Sequence, residues 1–376
     1  MFDGNYNQHL RLAYLVRPDE SAVLVHGIQI QNIKENAWYE VFVDEHTGQL
    51  VSVTDFGAKA TSGTYRAVPI YKHSLVDGTE LIFHPEDLEA SPYGWHENWT
   101  VLSTDVWEGA TYRTNWDDDD WEVVAFDYPY DQTVAPTPVE NRDAASITNA
   151  FYVGNMVHDF AWRYGFKPLT FNVQSDTIQD KWARGDDSVW IRIQWTPGVS
   201  DASFTTPPDG QPGILRLYIW NKSNPSRDPA LANDILFHEL THGITGRVIG
   251  GGSAACLQTL EAKGLREGWS DAMAEWTEQT SATVDDYVIG AWINNNAAGL
   301  RTYPYSTDPT INPLRYSSLA GLTNVYQIGE VWANVLHNVY AALVQAHVWA
   351  STRFTNPDTS EGNVIFMRLF FDSLSI

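Results

Sequence analysis

Short alternating runs of apolar and polar residues characterise the first 60 positions. Residues 10–16 and 22–30 are rich in Leu, Val and Ile, which is typical of β-strands. Residues 37–53 repeat the pattern on both sides of the turn-forming segment 44–48, which favours a hairpin. The pattern therefore predicts a small β-rich unit over residues 1–60.

Helical periodicity begins further along the chain. Apolar positions three and four apart predict helices over residues 143–166, 264–279 and 330–346. Another helix is predicted from Asn233 until the glycines at 250–252, with Asp228 or Ser226 as a capping residue. Since residues 214–220 read as a strand and residues 65–135 are rich in turns, the chain is expected to be a mixed α+β protein.

The sequence HELTH at residues 238–242 carries the clearest chemistry. His238 and His242 are four residues apart, so on a helix their imidazoles lie on one face and can bind one metal ion. Glu239 lies on the flank of that face, where its carboxylate can take a proton from a metal-bound water. The alternative is an exposed helix with two unrelated histidines.

A third metal ligand is expected from a different element. Zn²⁺ that performs chemistry favours three protein ligands and an open fourth position. Glu267 offers a carboxylate on the next predicted helix, and Asp271, four residues later, shares its face. A helix with ordinary surface acids is the alternative explanation for these two residues.

The composition narrows the possible partners. Hydrophobic residues make up 43% of the chain and charged residues 19%, as in an ordinary globular protein. The net charge of −24 argues against nucleic acid and anionic membrane as partners, although a merely solvated acidic surface explains it equally well. The single cysteine, Cys256, provides no disulfide framework, and no apolar run is long enough for a transmembrane helix. Residues 1–5 are polar and show no signal-peptide pattern.

HELTH, together with an EGWSD motif that begins 25 residues after His242, resembles the fungalysin family of secreted fungal zinc metallopeptidases. NAFY at residues 149–152, TPPDGQPG at 206–213 and GLRTYPYS at 299–306 also match the family, in the family's order. The resemblance covers roughly residues 35–376 and implies a thermolysin-like, two-lobe α+β metallopeptidase that is normally secreted.

That resemblance implies a domain layout. Residues 61–250 would form an N-terminal α+β lobe that includes the HELTH helix. Residues 251–376 would form a mainly helical C-terminal lobe, which is expected to be truncated here. Residues 1–60 resemble the end of the family's prosegment, with the signal and most of the prosegment missing; the alternative is an N-terminal sheet that belongs to the fold.

The resemblance also implies residue roles. Glu267 would be the third zinc ligand, and Asp271 would hold the outer nitrogen of a ligand histidine. Arg301 matches a position that binds the substrate carbonyl next to the cleaved bond, with a surface salt bridge as the alternative. Ala202 and Ser203 lie in a segment matching the edge to which extended peptide substrate adds as a strand.

Three departures from the family pattern affect these roles. Tyr326 stands where the family has a histidine that donates a hydrogen bond to the oxyanion, a bond that a phenol can also donate. Arg266 replaces a glycine and is expected to point away from the metal. Asp201 and Ser203 replace asparagines, which puts the substrate contacts there in doubt.

We therefore expect an extracellular zinc-dependent endopeptidase with one Zn²⁺, protein or peptide substrates and its own prosegment as a partner. The alternative is a catalytically impaired or inactive zinc-binding homologue; a carbohydrate-binding module is suggested only by the 16 Trp residues. Sequons at Asn98 and Asn221 predict glycosylation if the chain is secreted. Ca²⁺ at the acidic run 117–120 is possible, but that run lacks the spacing of a calcium cage, so a solvated loop is favoured.

Overall fold

The structure is a computed structural model, and it divides the chain into two compact units, Met1–Ala60 and Thr61–Ile376. It describes residues 11–16, 22–32, 37–55, 63–92, 94–95, 102–104, 124–136, 142–174, 177 and 183–375. The acidic run 117–120 and the sequon at Asn98 lie outside the described residues.

The first unit contains a four-stranded antiparallel sheet in the order β1-β2-β3-β4. Its strands are Arg11–Val16 (β1), Ala22–Asn32 (β2), Ala37–Asp44 (β3) and Leu50–Asp55 (β4). The predicted hairpin is present between β3 and β4. Asp44 Oδ1 closes its turn by accepting hydrogen bonds from the backbone N–H groups of His46 and Thr47, at 2.9 and 2.8 Å.

The described residues of the second unit form two small sheets. One has the order β6-β5-β8 and consists of Gly63–Ala67 (β5), Glu80–Phe83 (β6) and Val124–Phe126 (β8). The other has the order β10-β11-β9-β7 and consists of Leu102–Thr104 (β7), Val189–Arg192 (β9), Ala202–Thr205 (β10) and Ile214–Leu217 (β11). In the described part of the chain, β10 lies at the edge of its sheet and pairs with β11 in antiparallel orientation.

Five α-helices complete the described part of this unit. They are Arg142–Arg163 (α1), Asn233–Val248 (α2), Leu260–Glu278 (α3), Val325–His347 (α4) and Gly362–Leu374 (α5). The expected combination of helices and small sheets in one chain is confirmed. Among the described residues, no helix has the length and apolar character needed to cross a membrane.

Capping residues explain why some helix starts differ from the prediction. Asp228 does not cap α2; its Oδ1 accepts from Ala230 N–H and caps a short 3-10 turn that leads into the helix. Thr259 caps α3 and Asn324 caps α4, so both helices begin earlier than their apolar periodicity indicated. The early start of α4 places Tyr326 in its first turn, where its backbone N–H donates to the side chain of Asn324.

Helices α3 and α4 pack closely because glycines lie at their contact, and they pack beside the buried helix α2. Nearly every residue of α2 is buried, including Leu236 and Phe237 at 0% exposure. At the crossing of α3 and α4, a Cβ on Gly268 would lie 2.7 Å from the Gly329 carbonyl oxygen. A Cβ on Gly329 would lie 2.6 Å from the Cβ of Glu267. Glycine at both positions therefore allows the backbones of α3 and α4 to approach each other next to Glu267, the residue whose side chain faces α2.

Candidate metal centre

Helix α2 presents the two histidines of the HELTH motif on one buried face. His238 and His242 are 7% and 8% exposed, and their ring centroids lie 4.7 Å apart at an interplanar angle of 84°. Glu239, between them in sequence, is 6% exposed. The four-residue spacing has therefore placed both imidazoles side by side, as the helical period requires.

Helix α3 brings Glu267 to both rings. Its Oε2 lies 3.2 Å from His238 Nε2, and its Oε1 lies 3.6 Å from His242 Nε2. One ligand atom from each of the three residues lies within 4.8 Å of the others. Among the described residues, this is the one group of His, Cys, Asp and Glu side chains with that convergence.

The outer nitrogens of the two histidines also have partners on α3. His238 Nδ1 donates to Asp271 Oδ1 at 2.7 Å, and because a carboxylate can only accept, this bond fixes the tautomer. His242 Nδ1 lies 3.1 Å from Ser270 Oγ. Sequence reasoning placed Asp271 in this position but missed Ser270, although its spacing of three from Glu267 puts it on the same side of the helix.

Asp271 is the centre of a buried polar network. Its Oδ2 and Oδ1 accept from Nε and Nη2 of Arg301 at 2.7 and 2.9 Å, and its Oδ2 also accepts from the Tyr305 hydroxyl. Tyr305 was not predicted to take part. Burial alone would raise the pKa of Asp271, but the Arg301 guanidinium and the His238 ring lower it well below its usual range, so the carboxylate is charged.

The ionisation of the remaining groups follows from burial and near neighbours. Burial raises the pKa of Glu239 to about 7, although the attraction of His238 opposes the shift. Burial acts to lower the pKa of His238, but its bonds to Asp271 and Glu267 outweigh this and raise it to about 10. For His242, burial and the charge of His238 lower the pKa well below its ordinary value.

The donor set fits a zinc ion. Two imidazole nitrogens and one carboxylate oxygen are a ligand combination of catalytic Zn²⁺ sites. The outer nitrogens are held by Asp271 and Ser270, which leaves both Nε2 atoms directed to Glu267. In addition, Glu239 Oε2 is buried beside this group without a hydrogen-bond partner. Glu267 Oε2 is likewise buried without a hydrogen-bond partner. A cation with a bound water would supply partners for both carboxylate oxygens.

The group opens into a cleft of about 610 Å³. Ala202 and Ser203 of the edge strand β10 line it, together with Arg301 and Tyr326. Tyr326 is 49% exposed, and the Cζ of Arg301 lies 5.3 Å from the centre of its ring. Arg301 is not in a surface salt bridge, because its partner Asp271 has 0% side-chain exposure.

Arg266 corrects one expectation. It does not turn away from the metal group but lines the same cleft. Its Nη2 donates to the backbone carbonyl of His242 at 2.8 Å and to Thr206 Oγ1 at 3.0 Å. These two acceptors hold the guanidinium at the cleft wall, and sequence spacing alone gave no sign of them.

A mixed helix and sheet fold in which a HELTH helix and a following helical glutamate converge beside an open cleft defines the HExxH class of metal-site proteins. Residues 64–376 match the model of the fungalysin metallopeptidase (M36) family, and the chain belongs to that family.

Curated relatives carry names that agree with this assignment. The chain is 34% identical to the extracellular metalloproteinase mep of Aspergillus flavus over 97% of its own length and 59% of that protein's. It is 34% identical to extracellular metalloproteinase 10 of Uncinocarpus reesii, again over 97% of this chain and 59% of that one. It is 33% identical to extracellular metalloproteinase 1 of Arthroderma otae, over 97% and 60% of the two lengths. The chain thus spans about 59% of the length of relatives such as the first two.

Proposed function

We propose that this chain is the zinc-binding, catalytic part of a secreted endopeptidase that hydrolyses protein or peptide substrates. The convergence of His238, His242 and Glu267 beside a cleft is the observation that carries the proposal. Membership of a metallopeptidase family supports the reaction, and the word extracellular in the relatives' names supports secretion.

His238, His242 and Glu267 would hold Zn²⁺, with Asp271 and Ser270 orienting the two rings. When bound, the ion supplies Lewis-acid activation of a water and of the substrate carbonyl. Glu239 takes the proton of the attacking water and returns it to the leaving amine. Burial raises the pKa of this carboxyl, which favours its acceptance of the proton.

Tyr326 donates its hydroxyl proton in a hydrogen bond to the carbonyl oxygen as that oxygen gains negative charge. Burial raises the pKa of Tyr326, so the phenol stays protonated and able to donate. Arg301 stacks on the same ring and approaches the substrate carbonyl with the part of its guanidinium that Asp271 does not occupy, since Nε and Nη2 are already engaged.

The peptide would add as an extended strand at Ala202 and Ser203 of β10, which is an edge strand among the described residues. Because main-chain hydrogen bonds supply this binding, it places the scissile bond without fixing side-chain preference. Asp201 and Ser203 replace the asparagines of the family pattern at that edge. The polar groups that contact the substrate there would therefore differ from those of the family.

We also propose a two-lobe architecture preceded by a remnant of the prosegment. Residues 61–250 and 251–376 would be the two lobes of a thermolysin-like enzyme, and residues 1–60 a prosegment remnant that acts as the enzyme's own partner. The four-stranded sheet of the first unit supports an independent N-terminal segment. Secretion would make Asn221, which is exposed, a glycosylation site.

Metal content and casein hydrolysis, measured on one purified sample, test the proposed function. We expect stoichiometric zinc, activity that a chelator abolishes and zinc restores, and a fall of about 10²–10⁴-fold in turnover for Glu239→Gln. Zinc binding by this variant shows that the site is intact. Full activity of Glu239→Gln would refute the mechanism, and stoichiometric zinc without any turnover in the unaltered chain would favour the inactive homologue.

A further inference from the structure

Arg266 is a cation at the cleft wall whose two hydrogen bonds go to neutral oxygens. It precedes Glu267 on α3, and its Nη2 contacts the His242 carbonyl and Thr206 Oγ1. Arg301, in contrast, forms an ion pair with the Asp271 carboxylate. Among the described residues, no carboxylate lies within ion-pair distance of Arg266, and its Nε is buried without a hydrogen-bond partner.

A half-buried guanidinium without an ion-pair partner has lost part of its hydration and gained little in exchange. Burial accordingly lowers the pKa of Arg266, but arginine stays charged throughout the working range of an enzyme. Nη2 is engaged and Nε is buried, so Nη1 is the guanidinium nitrogen that remains to donate a charge-assisted hydrogen bond to a carboxylate. A substrate carboxylate that enters the cleft and pairs with Arg266 would therefore offset part of the desolvation cost of this guanidinium.

The two cleft arginines are hydrogen-bonded to different parts of the metal group. Arg301 is linked to His238 through Asp271, whereas Arg266 is linked to the backbone of His242. Only on the His242 side is the positive charge left without a hydrogen-bonded carboxylate. An acidic side chain would therefore be favoured on one side of the scissile bond and not on the other.

We propose that Arg266 binds an acidic side chain of the substrate on the side of the cleft next to His242, and so makes the enzyme selective for Asp or Glu at one position. This inference rests on the proposed function. It identifies a class of substrate, peptides with a carboxylate near the cleaved bond, that the metal ligands themselves do not select.

Nearby and distant negative charges oppose this selectivity. Glu239 and Glu267 act on Arg266, and the whole chain carries −24. However, the dication that fits the site would offset the adjacent carboxylates, and the distant charges are screened over about 8 Å at physiological ionic strength. A hydrogen-bonded ion pair acts over a shorter distance and is screened much less.

The competing explanation is purely structural. Arg266 holds the His242 carbonyl and Thr206, so its loss would disturb the cleft for every substrate alike. The ratio of kcat/KM for two peptides that differ only as Glu and Gln separates the two explanations, because a general disturbance cancels in that ratio.

The experiment uses a peptide series with Glu or Gln at each of three positions on either side of the scissile bond, at physiological salt. We expect Glu to be preferred over Gln by roughly tenfold in kcat/KM at a single position, a typical effect of one charge-assisted hydrogen bond. Arg266→Gln should abolish the preference and Arg266→Lys should retain part of it. Arg315→Gln removes the same charge at an exposed position outside the cleft and should leave the preference unchanged.

Binding supplies a readout that does not need turnover. In a Glu239→Gln background, fluorescence anisotropy should show the Glu peptide binding about tenfold more tightly than its Gln partner, and the added Arg266→Gln change should remove the difference. Absence of hydrolysis by the unaltered chain, with this binding difference intact in the Glu239→Gln background, would refute the proposed function alone. Equal binding and equal kcat/KM for the two peptides, in a chain that hydrolyses both, would overturn the role of Arg266.

Discussion

Tyr326 offers the sharpest test at the scale of single residues. Its ring stacks under Arg301 in the cleft, and its hydroxyl is the group proposed to contact the oxyanion. Tyr326→Phe keeps the ring and removes only that donor. We expect kcat to fall by about 10²–10³-fold with little change in zinc content, because one oxyanion donor is lost.

Steady-state kinetics on one peptide, with zinc measured on the same protein, check this expectation. Arg315→Gln, outside the cleft, serves as the unaffected reference. A Tyr326→Phe enzyme with unchanged kcat would show that the phenol does not donate to the reacting oxygen.

Asp271 should control both metal affinity and stability. Asp271→Asn keeps the shape but removes the charge that orients His238 and neutralises Arg301. We expect zinc affinity to fall by about 10–100-fold. The buried Arg301 would also lose its ion pair, at a cost of about 3–5 kcal/mol in the free energy of unfolding.

Zinc titration with a competing chelator and denaturant unfolding measure the two effects. Ser270→Ala is the matched comparison on the other ring, because it removes a neutral partner of His242 and should weaken zinc binding less. Equal losses in the two variants would contradict the special role of the carboxylate.

The residues that sequence reasoning found and missed differ in the kind of signal they leave. The proposed ligands and Asp271 follow from helical spacing and motif order, and the structure does bring them together. Tyr305 reaches Asp271 from a non-helical segment 34 residues away, and Arg266 reaches His242 from the next helix. Contacts of this kind depend on how helices and loops pack, and no local period encodes them.

At the scale of elements, the crossing of α3 and α4 determines where Glu267 lies. Gly329→Ala would normally stabilise a helix by about 0.5–1 kcal/mol, since alanine has the higher propensity. Here the new Cβ would meet the Cβ of Glu267 at 2.6 Å and the Gly264 carbonyl oxygen at 3.0 Å. We therefore expect the opposite sign, a loss of about 1–3 kcal/mol from overpacking, together with weaker zinc binding.

Chemical unfolding and zinc titration of Gly329→Ala test the crossing. Ala342→Gly, at an exposed position of the same helix, measures the propensity term alone and should cost about 1 kcal/mol without changing zinc affinity. If Gly329→Ala were more stable than the unaltered chain, close approach of α3 and α4 would not be what positions Glu267.

The elements themselves were largely predictable because hydrophobic periodicity is local. The helices from 143, 233, 264 and 330 and the hairpin of residues 37–53 are all present. Their first residues were less predictable, since α3 and α4 start at polar caps ahead of the apolar stripe. The pairing of β7 with β9, which are far apart in the chain, carries no local signal at all.

At the scale of the whole molecule, His73 links the pH of the solution to the stability of the second unit. His73 Nδ1 lies 2.6 Å from Glu278, the last residue of α3, and the Glu278 side chain is 1% exposed. Attraction by Glu278, reinforced by Asp234 and Asp77, raises the pKa of His73 from 6.5 to about 9. The protonated form therefore stabilises the fold fully below pH 6.5, and this contribution is lost as the pH rises through about 9.

The difference in free energy of unfolding between the unaltered chain and His73→Gln isolates this contribution. Taking the difference at each pH cancels the titrating groups that do not interact with His73. Asp234, whose pKa burial raises to about 7, does interact with His73, so the difference includes that coupling. We expect the difference to be constant below pH 6.5 and to shrink between pH 6.5 and 9. Because the His73 side chain is 47% exposed, added salt should reduce it. A difference that stays constant across this range would show that folding does not raise the pKa of His73.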